Sequence, residues 1–215
     1  MMDRRLASRC LTRLAKQFTG KAMVDFGTPE DTLIATLLSA RTRDEQVLRA
    51  YPGLRATFPT LQDLAEASPK EIAVPIKTIG LYQNKARAIQ GLARLLLEKY
   101  NGVVPQTMEE LIELPGVGRK TASCVLSYAF RIPAIAVDTH VLRIAHRLTW
   151  ARGRTPEKIE EELKVLFPKR VWNEVNRVGV AFGRTICLPG KPRCWQCPLR
   201  DLCPYQPKTL EPHKR

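Results

Sequence analysis

Apolar residues along this chain fall in blocks of helical length and spacing. Residues 33–38, 89–97, 125–130, 141–148 and 159–167 are each too long or too helically spaced to read as strands. Thr28-Pro29, Ser68-Pro69 and Thr155-Pro156 each offer a hydroxyl for an N-cap and a proline for the first helical position. Ser68 with Glu71, and Thr107 with Glu110, have capping-box spacing. Leu6, Cys10, Leu14 and Phe18 recur every fourth residue and predict a first amphipathic helix. The one strand-like run, 132–137, is short and contains Pro133. The pattern predicts an all-α protein of about ten helices, with no internal repeat and a loose tail after Pro204.

Composition narrows the class. With 215 residues and 44% hydrophobic content the chain can bury one large core or two small ones, which excludes collagen-like, disordered and disulfide-scaffold proteins. No apolar run approaches the roughly 20 residues of a membrane span, so no membrane partner is expected. The 35 Lys and Arg exceed the 21 Asp and Glu by 14 charges, which favours an anionic partner, nucleic acid first among them. That excess lies at the two ends of the chain: residues 1–21 are net +5, residues 139–215 net +9, and residues 22–138 hold thirteen charges of each sign. Two basic ends that join would make one basic face beside a neutral middle. The Arg-rich first 18 residues superficially resemble a transit peptide, but their four-residue apolar period suits a helix of the folded protein better. Six cysteines without a secretory signal lead us to expect a reducing compartment.

Four of those cysteines, Cys187, Cys194, Cys197 and Cys203, form C-x6-C-x2-C-x5-C within seventeen residues. Four thiolates suit zinc or a [4Fe-4S] cluster. Zinc sites usually pair two short C-x2-C turns, and only one is present, so the uneven loops favour the cluster over zinc, with a disulfide pair third. Cys10 and Cys124 sit on apolar faces and read as core residues.

A second signal is Leu114-Pro115-Gly116-Val117-Gly118-Arg119-Lys120-Thr121. A capped helix from Thr107 ends at a Gly-Val-Gly hairpin and another helix begins at once. Glycines let the backbone turn sharply and approach a phosphate, which then meets the N–H groups of the following helix start. Many helical hairpins turn on glycine for structural reasons alone, but the basic pair that follows favours a helix-hairpin-helix that grips DNA backbone without sequence preference.

In these motifs the chain resembles the endonuclease III family of the helix-hairpin-helix DNA glycosylase superfamily. The resemblance covers nearly the whole chain and rests on Leu38-Ser39-Ala40, Gly80-Leu81-Tyr82, residues 114–120, Val137-Asp138-Thr139-His140 and the cysteine spacing. It implies two helical domains with a DNA-binding groove between them: a six-helix barrel over 22–132, containing the helix-hairpin-helix at about 107–130, and a cluster domain of 1–21 plus 133–215. It implies a monomeric DNA glycosylase/AP lyase of base excision repair, acting on double-stranded DNA with a damaged base or abasic site, in a bacterial or archaeal cytoplasm and associated with the nucleoid. The family's nucleophilic lysine falls on Lys120 and its essential aspartate on Asp138.

Physical chemistry is compatible with both roles. An attacking lysine must be neutral, and burial, a nearby cation such as Arg119, or a helix N-terminus each lower its pKa. Lys120 could equally bind phosphate, and Asp138 is also a natural N-cap. The hairpin offers Gly116, Val117, Gly118 and Arg119 to the DNA backbone, the loop 188–193 between two cysteines presents Lys191 and Arg193 to phosphate, and the resemblance adds Arg41 and Leu81. His140 could orient Asp138 or bind phosphate, but reads first as a structural histidine. Monofunctional relatives carry Ser or Tyr where this chain has Lys120. A non-catalytic, zinc-holding DNA-binding protein is the reading from another class.

One departure generates a prediction. After Leu-Ser-Ala the family commonly has Gln, which fills the gap left by an extruded nucleotide; here the residue is Arg41. Gln donates and accepts, whereas Arg only donates, and its fork matches the O6 and N7 acceptors of guanine. Excision opposite guanine should therefore exceed that opposite adenine, and Arg41→Gln should narrow the ratio. Single-turnover excision of one oxidised pyrimidine opposite each base measures it. An equal rate loss for both partners would mean that Arg41 only touches phosphate.

Overall fold

Capping dictates where the helices begin. The computed structural model describes residues 1–18 and 26–211. Among them are eleven α-helices, two 3-10 turns and no strand: α1 Arg4–Ala15, α2 Pro29–Ser39, α3 Asp44–Thr57, α4 Leu61–Glu66, α5 Pro69–Ala73, α6 Tyr82–Tyr100, α7 Met108–Glu113, α8 Arg119–Tyr128, α9 Thr139–Arg147, α10 Pro156–Leu166 and α11 Trp172–Thr185. Thr28, Ser68, Thr107 and Thr155 each accept a hydrogen bond from the third backbone N–H of their helix, where the sequence places them. Residues 132–137 pair with no neighbouring strand, and Ile135, Ala136 and Val137 are buried.

Contacts divide the chain into two units, 22–132 and 1–21 with 133–215. The first contains α2 to α8, seven helical segments where six helices are expected. Residues 61–73 are split because Pro69 disfavours helical backbone at Ser68, so α4 ends and a capping box restarts the chain as α5. Its core is aliphatic and includes Leu33, Leu38, Leu54, Leu64, Ile72, Ile76, Ile79, Ile89 and Leu92. In the second unit α1 buries Ala7, Cys10, Leu11 and Leu14, Phe18 meets Phe182 at 5.3 Å, and Trp150 lies edge-on to Phe167 at 4.9 Å. Cys10 is a core thiol, pushed up to about 11 by burial.

The tail departs from expectation. Beyond Pro204 the chain is tied back by Thr209, whose Oγ1 accepts from the Cys194 amide at 3.1 Å and donates to the Pro192 carbonyl. Polar composition predicts a loose tail; residues 205–211 are held by this hydroxyl together with Arg200 on the Thr209 carbonyl and Arg147 on the Tyr205 ring, and residues 212–215 lie outside the described residues.

In the first unit, α2 and α3 are joined by charge. Asp31 Oδ1 accepts from Tyr51 Oη at 2.6 Å and Arg55 Nε at 2.7 Å, and Arg55 also pairs with Glu30. Burial pushes the Asp31 carboxyl up, but hydrogen bonds from Thr28, Tyr51 and Arg55 outweigh it and hold the group below its ordinary value. A carboxyl lowered in the fold contributes stability above its unfolded pKa near 4, and that contribution is lost as pH falls through the folded value. Asp31→Asn should therefore cost about 1–3 kcal/mol at neutral pH. The difference from the parent should close as denaturation is repeated from pH 5 downward; a gap independent of pH would assign it to packing alone.

Candidate functional site

The hairpin in the first unit is built by exclusion of side chains. Leu114 and Val117 are buried, and the Val117 amide donates to the Leu114 carbonyl at 3.0 Å, which closes the turn between α7 and α8. Gly116 has φ +77°, and a Cβ there would lie 2.8 Å from Ala88 Cβ and 3.1 Å from Leu37 Cδ1, so no other residue fits. Gly118 differs: its φ is ordinary, and a Cβ would meet nothing within 4 Å. It is the N-cap of α8 and supplies no side-chain cap to that helix start, which carries the partial positive charge of the helix dipole. Arg119 and Lys120 are the first two residues of α8 and both are exposed. The burial invoked above for an attacking lysine is therefore absent, because the helix start that carries Lys120 faces outward.

Arg41 and Leu81 belong to the same unit, on the loops after α2 and before α6. Both are exposed and both have left-handed backbone, with φ 55° and 60°. Between the loops lies Lys85, 6% exposed, whose Nζ donates to the Leu38 carbonyl and to Thr42 Oγ1, each at 2.7 Å. Burial pushes this ammonium down to about 8.

In the second unit Asp138 is the N-cap of α9. Its Oδ1 accepts from the amides of His140 at 2.9 Å and Val141 at 2.8 Å, so one oxygen does the capping. The His140 ring is half-buried against α11. A Cβ at Gly183 would come within 2.9 Å of it, and Arg143 Nη2 donates to His140 Nδ1 at 3.2 Å. Burial lowers the His140 pKa, with Asp138 and a hydrogen bond to the Gly183 backbone opposing and Arg143 adding to the effect. This geometry favours the structural reading of His140 over a DNA contact.

Two arginines on α9 hold the cysteine loop. Arg143 donates to the carbonyls of Cys187 and Gly183, each at 3.0 Å. One turn on, Arg147 donates to the carbonyls of Leu188 at 2.7 Å and Pro189 at 2.8 Å and to Cys187 Sγ at 3.3 Å, with its guanidinium 4.6 Å from the Tyr205 ring centre. Neither arginine was singled out from sequence, although their four-residue spacing just after Asp138 was a usable signal. Lys191 and Arg193 are exposed on the loop so held.

Cys187, Cys194, Cys197 and Cys203 line one cavity, walled by Leu148, Phe182, Ile186 and Pro192. The Leu199 amide donates to Cys197 Sγ at 3.4 Å, a second hydrogen bond to sulfur beside that of Arg147. Burial, opposed by the Leu199 amide and reinforced by the neighbouring cysteines, pushes Cys197 up to about 11, so a thiolate at this position needs a cationic centre to form. Among the described residues no group of three or more His, Cys, Asp or Glu is gathered to hold a single ion. Four thiols around an apolar space, with donors to sulfur, fit a cluster rather than one zinc.

An all-helical chain with an uncapped glycine hairpin and four cysteines around one cavity defines a helix-hairpin-helix base excision repair protein with an iron-sulfur centre. Residues 34–169 match the HhH-GPD superfamily of base excision DNA repair proteins, and residues 187–203 match the iron-sulfur binding domain of endonuclease III. The chain is 49% identical to endonuclease III of Thermotoga maritima, with 82% of this chain and 83% of that one covered, and 41% identical to that of Escherichia coli K12, with 86% and 88% covered. It is also similar to a solved endonuclease III trapped as a covalent intermediate with DNA, at 40% identity and TM-score 0.90, with 95% of this chain and 97% of that one covered. The chain belongs to the endonuclease III family. It is a DNA glycosylase with AP lyase activity, carries a [4Fe-4S] cluster and acts on DNA.

The two hairpin glycines should separate stability from binding. Gly116→Ala should destabilise by about 1–3 kcal/mol, since φ is left-handed and Ala88 cannot yield. Gly118→Ala should stay within about 1 kcal/mol of the parent yet lose duplex affinity, because its methyl group fills the open approach to the helix start. Thermal melting and fluorescence anisotropy measure the pair; unchanged affinity in Gly118→Ala would remove that position from the interface.

Proposed function

We propose that Lys120 is the amine nucleophile and Asp138 the assisting carboxylate in the removal of oxidised pyrimidines, and that Cys187, Cys194, Cys197 and Cys203 ligate the cluster. The observation that carries the reading is the placement of Lys120 on an uncapped, outward-facing helix start directly after the hairpin. The damaged base is extruded from the duplex. Lys120 Nζ attacks C1′ as the glycosidic bond breaks, the bonding pair leaves with the base together with a proton from the amine, and the C1′–O4′ bond then opens to an iminium as O4′ takes a proton from water. Loss of a C2′ proton then expels the 3′ phosphate oxygen and cuts the strand. Asp138 uses one oxygen for its helix, and the other serves to take a proton from the amine or to face the positive sugar.

Amides at the hairpin, with Lys191 and Arg193 on their loop, meet phosphates and position the duplex. When bound, the cluster cross-links four thiolates and so fixes the loop that carries both cations. Residues 22–132 serve as the barrel domain, and 1–21 with 133–215 as the cluster domain; their separate packing supports that division. The bacterial relatives and a DNA substrate support a cytoplasmic, nucleoid-associated place of work.

Lys120→Gln should bind abasic DNA nearly normally yet lose strand cleavage and borohydride trapping, since only the covalent step needs the amine. Persistent trapping would reassign the nucleophile. Asp138→Asn should lose far more base excision than cleavage at a preformed abasic site. Equal losses with folding intact would leave Asp138 as a cap alone.

A further inference from the structure

Buried Lys85 takes part in none of these steps, yet its two hydrogen bonds join the two loops that carry Arg41 and Leu81. It lies in the first turn of α6, just after Leu81. Its Leu38 partner belongs to the last turn of α2, the negative end of that helix, where an ammonium is favoured. The amides that follow pass this carbonyl by: Ala40 donates to Leu37 and Thr42 to Ser39. Its other partner, Thr42 Oγ1, is the residue next to Arg41. A Cβ at Gly80, beside Leu81, would lie 3.5 Å from the Arg41 carbonyl oxygen and 3.6 Å from Thr42 Oγ1, and Gln46 Nε2 donates to the Thr78 carbonyl at 3.4 Å.

The loops are therefore in contact, and each holds one non-glycine residue in left-handed backbone. Such residues persist only where surrounding structure over-determines them, and they gather at functional sites. Leu81 is 55% exposed, so its conformation gains nothing from burial. Strain that packing does not repay is held in place by the clamp behind it.

We propose that Lys85 is a positioning residue that locks residues 39–43 and 78–82 into one two-pronged element, so that Arg41 and Leu81 enter the duplex together at fixed separation. This rests on the reading of Arg41 and Leu81 as DNA-entering residues. Extrusion of a paired base then works against a rigid wedge; with the clamp gone, the loops relax and the wedge yields. A base that is already unpaired needs less of this help.

The test is single-turnover excision by the cluster-loaded protein of one oxidised pyrimidine, either fully paired or placed in an unpaired bulge. Lys85→Met should slow excision about tenfold or more on the paired lesion and less than about threefold on the bulged one. Trapping at a preformed abasic site should stay within about threefold of the parent. Thr42→Val, which removes one of the two acceptors, should show the same preference at about two- to threefold, and it carries the test if Lys85→Met does not fold. Equal slowing on both substrates, or none on either, overturns the proposal. Absence of borohydride trapping by the unaltered protein is a separate result and would overturn the lyase reading instead.

Discussion

A helix leaves amides unpaired at its start and carbonyls unpaired at its end, and several candidate functional groups of this protein stand where those groups are satisfied or left without a cap. Asp138 satisfies the start of α9, Arg147 takes up the carbonyls of the loop that α9 supports, and Lys85 takes up a carbonyl at the end of α2. The start of α8 is left open by Gly118. Where a charged side chain fills the vacancy, the chain is fixed. Where the N-cap is a glycine, as at α8, no side chain competes with an anion.

Asp138 and Arg147 sit at opposite ends of one nine-residue helix. A carboxylate is favoured at its positive end and a guanidinium at its negative end, so both charges stabilise the helix they use. Gly179 and Gly183 let α11 approach Val141 and His140 to within van der Waals contact, which sets α9 against a rigid neighbour. The loop after Cys187 is thereby referred to the same helix that orients Asp138.

Much of this is legible in residues whose chemistry is local. Thr28, Ser68, Thr107, Thr155 and Asp138 cap where their side chains alone say they should, because a cap involves only the next three amides. The cysteine spacing announces its cavity for a similar reason. By contrast, α3 is obscured by Pro52, which is tolerated inside the helix because the carbonyl it leaves unpaired, that of Leu48, sits at an exposed position. Lys85 is hidden because its partners are 43 and 47 residues away, and no pattern marks a lysine as buried. Residues 205–211 are held where composition predicts a loose tail, because the hydrogen bonds of Thr209 outweigh that composition. The exposure of Lys120 shows that a helix start gives a residue a direction without giving it an enclosure.

The unit that holds the cysteines is assembled from both ends of the chain, and this sets an order of events during synthesis. The apolar face of α1 emerges first, but its partners on α11 lie some 160 residues later, as the contact of Phe18 with Phe182 shows. At about 5–20 residues per second, α1 waits roughly 10 seconds or more while the entire intervening unit is made and can fold. Closure of so long a loop is entropically cheaper once those residues have already collapsed. The cysteines come after α11, so a folded site for the iron-sulfur centre can exist only once both parts of its unit have been made.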